Sequence, residues 1–518
     1  MTKQLSIEDM ASFCKRKGFV YPTSEIYGGF AGFFDYGPLG VELKNNIKRH
    51  WWKTFIHSRE DMVGMDGAII AHPKVWEASG HTDCFADLVL KCEDKEKCGF
   101  ETRADHFIQD TLTTKDFSLG ENLGAEEINK IIQEKKLNCP QCKKKFQKVQ
   151  NFNLMFETQV GPKQNNKSKA YLRPETAQLI FTNFKLIHEH ARLNLPFGIG
   201  QIGKAFRNEI SPRDFLFRTR EFEQMEIEFF VHPDHINDCP WIEEMLSYEM
   251  QVLTAEAQEK KGTHTLMKVE ELLDQKFTTS WHTYWLVLFH RWFVHLGIDQ
   301  KHLRLREHRK SELAHYAGAC FDIEYQFPFG WKEIHGNADR TQFDMNQHLK
   351  VSGKDISVYD EQTKGKVIPY VAAEPSQGVD RAFLAFLFEA YEENTERGNI
   401  VLHLHPQLAP VQVGIFPLVN KLQDKAKEVY NQLKTEWVCQ YDKSGSIGRR
   451  YARADEIGIP FCITIDFDSL EKKDCTIRDR ESTKQVRVAL SSLPQILPAL
   501  LHKEKLLEKV GKPVEVTP

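Results

Sequence analysis

Across residues 41–58, VELKNNIKRHWWKTFIHS, the apolar positions Val41, Leu43, Ile47, Trp51, Trp52, Phe55 and Ile56 recur near helical spacing and predict a helix. The preceding GGFAGFFDYGPLG is rich in glycine and aromatic residues, and Gly37-Pro38 predicts a strand stop and helix start. Its aromatic content also suits a subunit interface. The apolar run from Trp281 to Ile298 is interrupted by His282, His290, Arg291 and His295, which predicts a buried helix rather than a membrane span. From residue 151, strand-like runs (FNLMFET, GIGQIGKAFRNE, CFDIEYQF, WKEIHGN, KVIPYVAAE) cluster with few helices between them. That clustering predicts an α+β unit with a mainly antiparallel sheet, covered by a helix-rich stretch over 235–310. EENTERGNIVLHLHPQLAP, 392–410, reads as a linker. After it, strand VQVGIFPLV, helices NKLQDKAKEVYNQLKTEW and IGRRYARADEIG, strands PFCITID and KQVRVAL and a final helix predict a compact α/β unit.

One stretch does not fit a simple half-buried hairpin. FRNEISPRDFLFRTREFEQMEIEFF, 206–230, reads as two strands about the turn Ser211-Pro212-Arg213-Asp214, yet it is dense in arginine and carboxylate. Alternation directs Met225, Ile227 and Phe229 to the core and Arg220, Phe222, Gln224, Glu226 and Glu228 to the other face; Arg207 and Glu209 share a face. Guanidinium, aromatic ring and carboxylate on one face suit a nucleotide. A surface ladder of cross-strand ion pairs is the competing reading. No GxxxxGK[ST] phosphate loop is present. Gly198, Gly200 and Gly203 match GxGxxG, but a helical run and Pro196 precede them and a strand follows. They read as glycines permitting close packing at a strand start.

Composition narrows the picture. The 518 residues are 41% hydrophobic and 27% charged, as in globular proteins, and their number suggests about three domains. The net charge of −4 excludes a global basic field, so nucleic-acid contact would rest on local patches: Lys143–Lys145, Arg213/Arg218/Arg220, and Arg449, Arg450 and Arg453. Each also reads as solvated surface. The N-terminal MTKQLSIEDM carries acids and no apolar core, so a reducing cytoplasm is expected. Residues 91–150 are rich in lysine and glutamate and hold Cys92, Cys98, Cys139 and Cys142, an inserted module. Cys139-Pro-Gln-Cys142 has ligand spacing; the Cys92–Cys98 gap is wider than usual. A structural zinc ribbon is favoured over four free thiols.

FRNE followed by RTREFEQMEIEFF resembles motif 2 of the class II aminoacyl-tRNA synthetases, EPSQGVDRAFLAFL motif 3, and GGFAGFFDYGPLG with its helix motif 1. With RPETAQ, ELAHYA and GWKEIHGNADR, the chain resembles the homodimeric glycyl-tRNA synthetases over nearly its full length. The resemblance implies an antiparallel sheet of six or seven strands with helices, dimerisation through motif 1 and a C-terminal anticodon-binding domain. It divides the chain into a first catalytic part (1–90), the cysteine insertion (91–150), a second catalytic part (151–400) and the anticodon-binding domain (405–518). It also implies a two-step reaction: glycine's carboxylate attacks the α-phosphate of ATP, and the 3′ adenosine of tRNA(Gly) then takes the glycyl group.

By the same resemblance Arg207 holds the α-phosphate, Arg381 the γ-phosphate, Phe222 stacks on adenine and Glu209 reads its amino group. Asn208, Phe217, Arg218, Arg220, Glu221, Ile334, Gly378, Val379 and Asp380 complete the ATP site, and Glu333 is the candidate Mg²⁺ ligand. Glycine falls to Glu175, Glu226, Glu374 and Ser376, joined by Phe222, Gln224 and Gly378, with Arg103 and Arg306 as further candidates. Carboxylates crowding an ammonium leave no room for a Cβ, so no editing domain is needed. Structural readings compete: Glu175 as a helix-start acid, Glu374-Pro375-Ser376 as a helix cap, Arg381 paired near Asp380. A prolyl, threonyl or histidyl enzyme, or an inactive nucleic-acid-binding relative, are the alternative functions.

Overall fold

The structure, a computed structural model, describes residues 5–94, 96–112, 124–162, 168–360 and 363–514. The first four residues of the N-terminal stretch, and residues 95 and 113–123 of the insertion, lie outside these. The centre is a nine-stranded sheet: β1 Met62–Met65, β2 Phe197–Phe206, β3 Glu221–Val231, β4 Glu249–Leu253, β5 Thr265–Lys268, β6 Leu303–Glu307, β7 Ala319–Phe327, β8 Gly330–Asp339 and β9 Tyr370–Gly378. The order is β5-β4-β6-β7-β8-β9-β3-β2-β1, antiparallel except for the β2–β1 and β4–β6 pairings. This exceeds the six or seven strands expected. The added strands come from 235–310, read as helix-rich but contributing β4, β5 and β6.

Four helices frame the sheet: α1 Pro38–Trp52, α2 Ala177–Ala191, α3 Ser280–His295 and α4 Val379–Ala390. Gly37 is the N-cap of α1 and Pro38 its first residue, as the sequence predicts. Gly40 has to be glycine, because a Cβ there would overlap the Phe19 carbonyl. α3 is buried around most of its circumference and packs Trp281 and Trp285 on Phe229 of β3, with ring centroids 4.9 and 5.2 Å apart. α2 covers the other side, where Phe181 and Phe184 meet Phe197 and Phe230.

Strand β3 therefore has two packed faces. Met225, Ile227 and Phe229 enter the main core as predicted, but Glu226 and Glu228 are also fully buried, which excludes the surface-ladder reading. The turn also differs. β2 ends at Phe206, so Arg207 and Glu209 lie in a loop, 207–220, that carries the short 3₁₀ turn Phe215–Phe217. The loop is too long and irregular to be a four-residue hairpin turn.

The stretch 392–410 is not a free linker. It forms the hairpin Tyr391–Asn394/Asn399–Leu402 and then packs Leu404, Leu408 and Ala409 inside, with the Asn46 amide donating to the Ala409 carbonyl at 2.9 Å. Beyond it lies a six-stranded sheet: β10 Val413–Pro417, β11 Cys439–Tyr441, β12 Phe461–Ile465, β13 Asp474–Asp479, β14 Gln485–Ala489 and β15 Lys512–Pro513. Its order is β11-β10-β12-β13-β14-β15, parallel at first and antiparallel after β12. The cysteine module is a three-stranded sheet, Ala86–Lys91, Glu101–Arg103 and Gln150–Asn153, with helices Ala104–Leu112 and Ala125–Glu134 on it. Among the described residues no helix is long and apolar enough to cross a membrane.

Candidate active site

Strands β3 and β9 lie side by side, with Gln224 opposite Gly378 and Glu226 opposite Ser376. Side chains from both, from β8 and from the 207–220 loop converge on one cavity lined by Arg207, Glu209, Phe217, Arg218, Phe222, Glu333 and Arg381. Arg207 donates Nε to the Pro174 carbonyl at 3.1 Å, and its guanidinium lies 5.3 Å from the Phe222 ring centre and 5.4 Å from that of Phe85. Among the described residues no carboxylate pairs with it, so its charge remains available to an anion. Arg381, in the first turn of α4, pairs with Glu333 at 2.9 Å and lies over the Phe217 ring at 4.5 Å. It does not pair with Asp380, which instead accepts from Tyr36, Lys44 and the Glu223 amide and ties α4 to α1. Glu209 is buried and holds Arg218 at 2.6 Å; Arg220 donates to the Glu209 and Ala31 carbonyls, both at 2.9 Å.

Deeper along the same strands lies an acidic floor. Carboxylate oxygens of Glu226, Glu228 and Glu374 lie within 4.8 Å of one another, all buried. Glu226 accepts from the Thr176 hydroxyl, and Glu374 accepts from Arg340 at 2.6 Å. Glu175 lies alongside, 3.4 Å from His81 and accepting from Gln178 at 3.0 Å. Gln224 bridges, accepting from the Thr176 amide at 3.2 Å and donating to the Ser376 hydroxyl at 3.3 Å. Burial pushes the Glu374 carboxyl up to about 8 despite Arg340, with Glu226 and Glu175 adding to the rise. Burial likewise raises Glu226, with Glu175 adding to the rise. Glu175 goes the other way: burial opposes ionisation, but His81 and Arg340 hold it below the usual carboxylate range. The floor thus carries strong negative potential and retained protons, the environment a small ammonium group neutralises.

The capping reading of Glu374 fails, because Glu374 lies inside β9, ahead of Gly378, the N-cap of α4. Glu175 does stand at a helix start, directly before the α2 N-cap Thr176, and there it also meets His81. Several sequence candidates stand apart from the floor. Arg103 is held by Asp87 at 2.7 Å and Asp105 at 2.6 Å, and Arg306 pairs with Glu312 and lies 3.7 Å from Asp322. Glu221 pairs with Lys204 at 2.7 Å. Ile334 and Val379 are core residues, able to meet a ligand only through backbone, while Asn208 donates its amide to the Leu154 carbonyl. Sequence reasoning missed Arg340, Arg173, Gln178 and Glu228 as members of the site. The first three lie in or beside the segments RPETAQ and GWKEIHGNADR, but only their burial separates them from surface charge.

In the cysteine module, Cys92 and Cys142 sulfurs lie 3.4 Å apart and those of Cys98 and Cys139 3.6 Å apart, all four within 4.8 Å. The wide first spacing is no obstacle, because the Cys92 amide bonds the Phe100 carbonyl at 2.9 Å and brings the two ends of that segment together.

An antiparallel sheet with a charged loop after β2, an arginine opening the helix after its last strand, and an attached α/β domain are the arrangement that the motifs' resemblance to class II aminoacyl-tRNA synthetases implies. Residues 412–500 match the family described as "Anticodon binding domain". The chain is similar in fold to the "RNA binding domain of Threonyl-tRNA synthetase" of Cryptosporidium parvum Iowa II, with a TM-score of 0.57, 14% identity, and coverage of 94% of this chain and 97% of that one. It is 44% identical to the glycine–tRNA ligase of Caldanaerobacter subterraneus subsp. tengcongensis over 96% of this chain and 99% of the relative. It is 45% identical to that of Acetivibrio thermocellus over 95% of this chain and 98% of the relative. The chain belongs to the glycine–tRNA ligase family.

Proposed function

We infer that the protein activates glycine with ATP and transfers the glycyl group to the 3′ end of tRNA(Gly). The observation that carries this reading is the convergence of Arg207 and Arg381 on one cavity whose lining residues Gln224 and Ser376 adjoin the buried Glu226 and Glu374 on β3 and β9. Two cations suit a triphosphate, and the buried acids suit an ammonium. Glycine supplies its own nucleophile, so the chain's task is positioning and charge stabilisation. Arg207 takes charge developing on the α-phosphate, Arg381 takes the γ-phosphate, and Phe222 offers a face to the adenine. Glu175, Glu226 and Glu374, with Gln224 and Ser376, hold the amine and occupy the space a Cβ would need.

Two metals fit residues of this chain. Glu333 and Asp322 carboxylate oxygens both approach the space beside Gly336, 3.8 and 3.7 Å from where a Cβ would stand, and suit Mg²⁺. When bound, that ion offsets phosphate charge. The four thiols suit structural Zn²⁺, with no open position for chemistry. The described cysteines are free thiols, in keeping with a reducing cytoplasm. Exposed Ile26, Tyr27 and Phe30, in and beside the motif 1 segment, suit burial against a second copy, and the C-terminal domain suits tRNA(Gly).

Glycine-dependent ATP–pyrophosphate exchange tests the reading. Arg207→Ala is expected to lower exchange by about 10²–10³-fold with the melting temperature and oligomeric state unchanged. Exchange retained in this variant, or exchange driven by proline, threonine or histidine in the parent protein, would refute it.

A further inference from the structure

The cysteine module grips the ATP loop at several points. Its strand Ala86–Lys91 directly follows Phe85, whose ring faces Arg207, and carries Asp87. One oxygen of Asp87 serves two arginines: Arg103 of the module at 2.7 Å and Arg218 of the loop at 3.5 Å. Arg218 in turn holds Glu209. Two further contacts run alongside. The Ser211 hydroxyl donates to that of Thr102 at 3.4 Å, and Arg213 donates to Asp110 at 3.4 Å. At the module's exit, the Asn208 amide bonds the Leu154 carbonyl at 2.8 Å. Every partner of the loop in this set belongs to 85–154, and no contact in it reaches the acidic floor.

The strand that holds Asp87 leads directly to Cys92. Five residues of extended chain separate the carboxylate from the thiol cluster by about 17 Å. Val89 and Lys91 pair with Arg103 and Glu101 along the way, so the cluster and the arginine are joined by a hydrogen-bonded ladder. Arg103 is therefore oriented by the module's own sheet, and its second carboxylate, Asp105, fixes the remaining face of the guanidinium. Such a fork is geometrically strict, because both arms must be satisfied at once.

We propose that Asp87 is a positioning residue for ATP: shared between Arg103 and Arg218, it passes the fold of the cysteine module to the nucleotide loop and leaves the glycine floor unaffected. This rests on the reading of the cavity as an ATP and glycine site. Asp87 touches no substrate in the proposal and acts through Arg218. Loss of its charge leaves the Arg218 guanidinium with Glu209 alone and loosens its placement in the loop.

The test is a split between substrates. Asp87→Asn is expected to raise the KM for ATP in the exchange reaction about tenfold, the scale of one charge-assisted hydrogen bond, with the KM for glycine within about twofold. Arg103→Gln, which takes the module's guanidinium from the Asp87 carboxylate without altering the loop, is expected to show the same split and serves if the first variant does not fold. Glu226→Gln is expected to show the opposite split. Calorimetric binding of a non-hydrolysable ATP analogue, without glycine, is expected to weaken by the same factor in both Asp87→Asn and Arg103→Gln. Unchanged ATP affinity, or equal losses for ATP and glycine, overturns the proposal. Absence of glycine-dependent exchange in the parent protein overturns the functional reading instead, and the calorimetry then decides on Asp87 alone.

Discussion

Arg340 shows how the acidic floor is held. Its side chain is 1% exposed, and its guanidinium takes Asp344 through two bonds of 2.8 and 2.9 Å and Glu374 through a third of 2.6 Å, over the Tyr316 ring at 3.9 Å. A lysine carries the same charge but cannot span both carboxylates. Arg340→Lys is expected to cost about 3–5 kcal/mol in urea unfolding and to raise the KM for glycine more than that for ATP. The pH dependence follows from Glu374. Its carboxyl is raised from the ordinary 4.5 to about 8, so between those values the empty folded protein retains a proton that the unfolded chain has released. By this group, unliganded stability declines as pH rises across that window. An ammonium favours the ionised form, so glycine binding should expel the proton and tighten with pH up to about 8. Calorimetry at pH 7 in buffers of different ionisation heat should show proton release in the parent and none in Glu374→Gln. Arg207, Glu226 and Arg381 were legible because their motifs are continuous in sequence. Arg340 was not, because its partners Asp344 and Glu374 lie on separate elements and nothing local distinguishes it from a surface arginine.

At the scale of elements, the glycines of β2 illustrate a pattern read correctly for its geometry. Gly203 stands where a Cβ would overlap the Arg173 guanidinium, and Arg173 holds the Lys204 carbonyl at 2.6 Å and that of Gly67 at 2.7 Å. Gly203→Ala must displace a buried cation, so a loss of at least about 1–3 kcal/mol in thermal unfolding is expected. Apolar runs predicted α1 and α3, because burial dominates both. The strands β4, β5 and β6 escaped because EMQVL, TLMK and LRLRE are short and partly polar, and sheet pairing rather than propensity decides them. The same holds for β13, DCTIRD, which is not among the strands read from the sequence and whose Arg478 is buried against Asp455 at 2.8 Å.

For the whole molecule, the stretch once read as a linker is the joint between two steps of one reaction. In the proposed reaction every residue assigned to activation lies in the nine-stranded domain or its cysteine module, while tRNA would engage the C-terminal domain as well. Arg397, at the tip of the 391–402 hairpin, donates to the Arg480 and Glu481 carbonyls, each at 2.8 Å, and to Asp455 at 3.3 Å. His403 adds bonds to Glu392 at 2.8 Å and Glu481 at 2.5 Å, and Lys17 reaches Glu456. These polar contacts lie beside the buried Leu404 and Leu408, so the joint rests on both packing and hydrogen bonds, and the bonds of Arg397 set its angle. Removing Arg397 takes the donor from the Arg480 and Glu481 carbonyls without touching the cavity, while Asp455 keeps Arg478. Arg397→Ala should therefore leave glycine-dependent exchange within about twofold while tRNA charging falls about five- to tenfold, the scale of one charge-assisted hydrogen bond. Small-angle scattering should show a larger radius of gyration in the variant. Equal loss in both assays would mean that the C-terminal domain supports the catalytic sheet itself, rather than the placement of the tRNA.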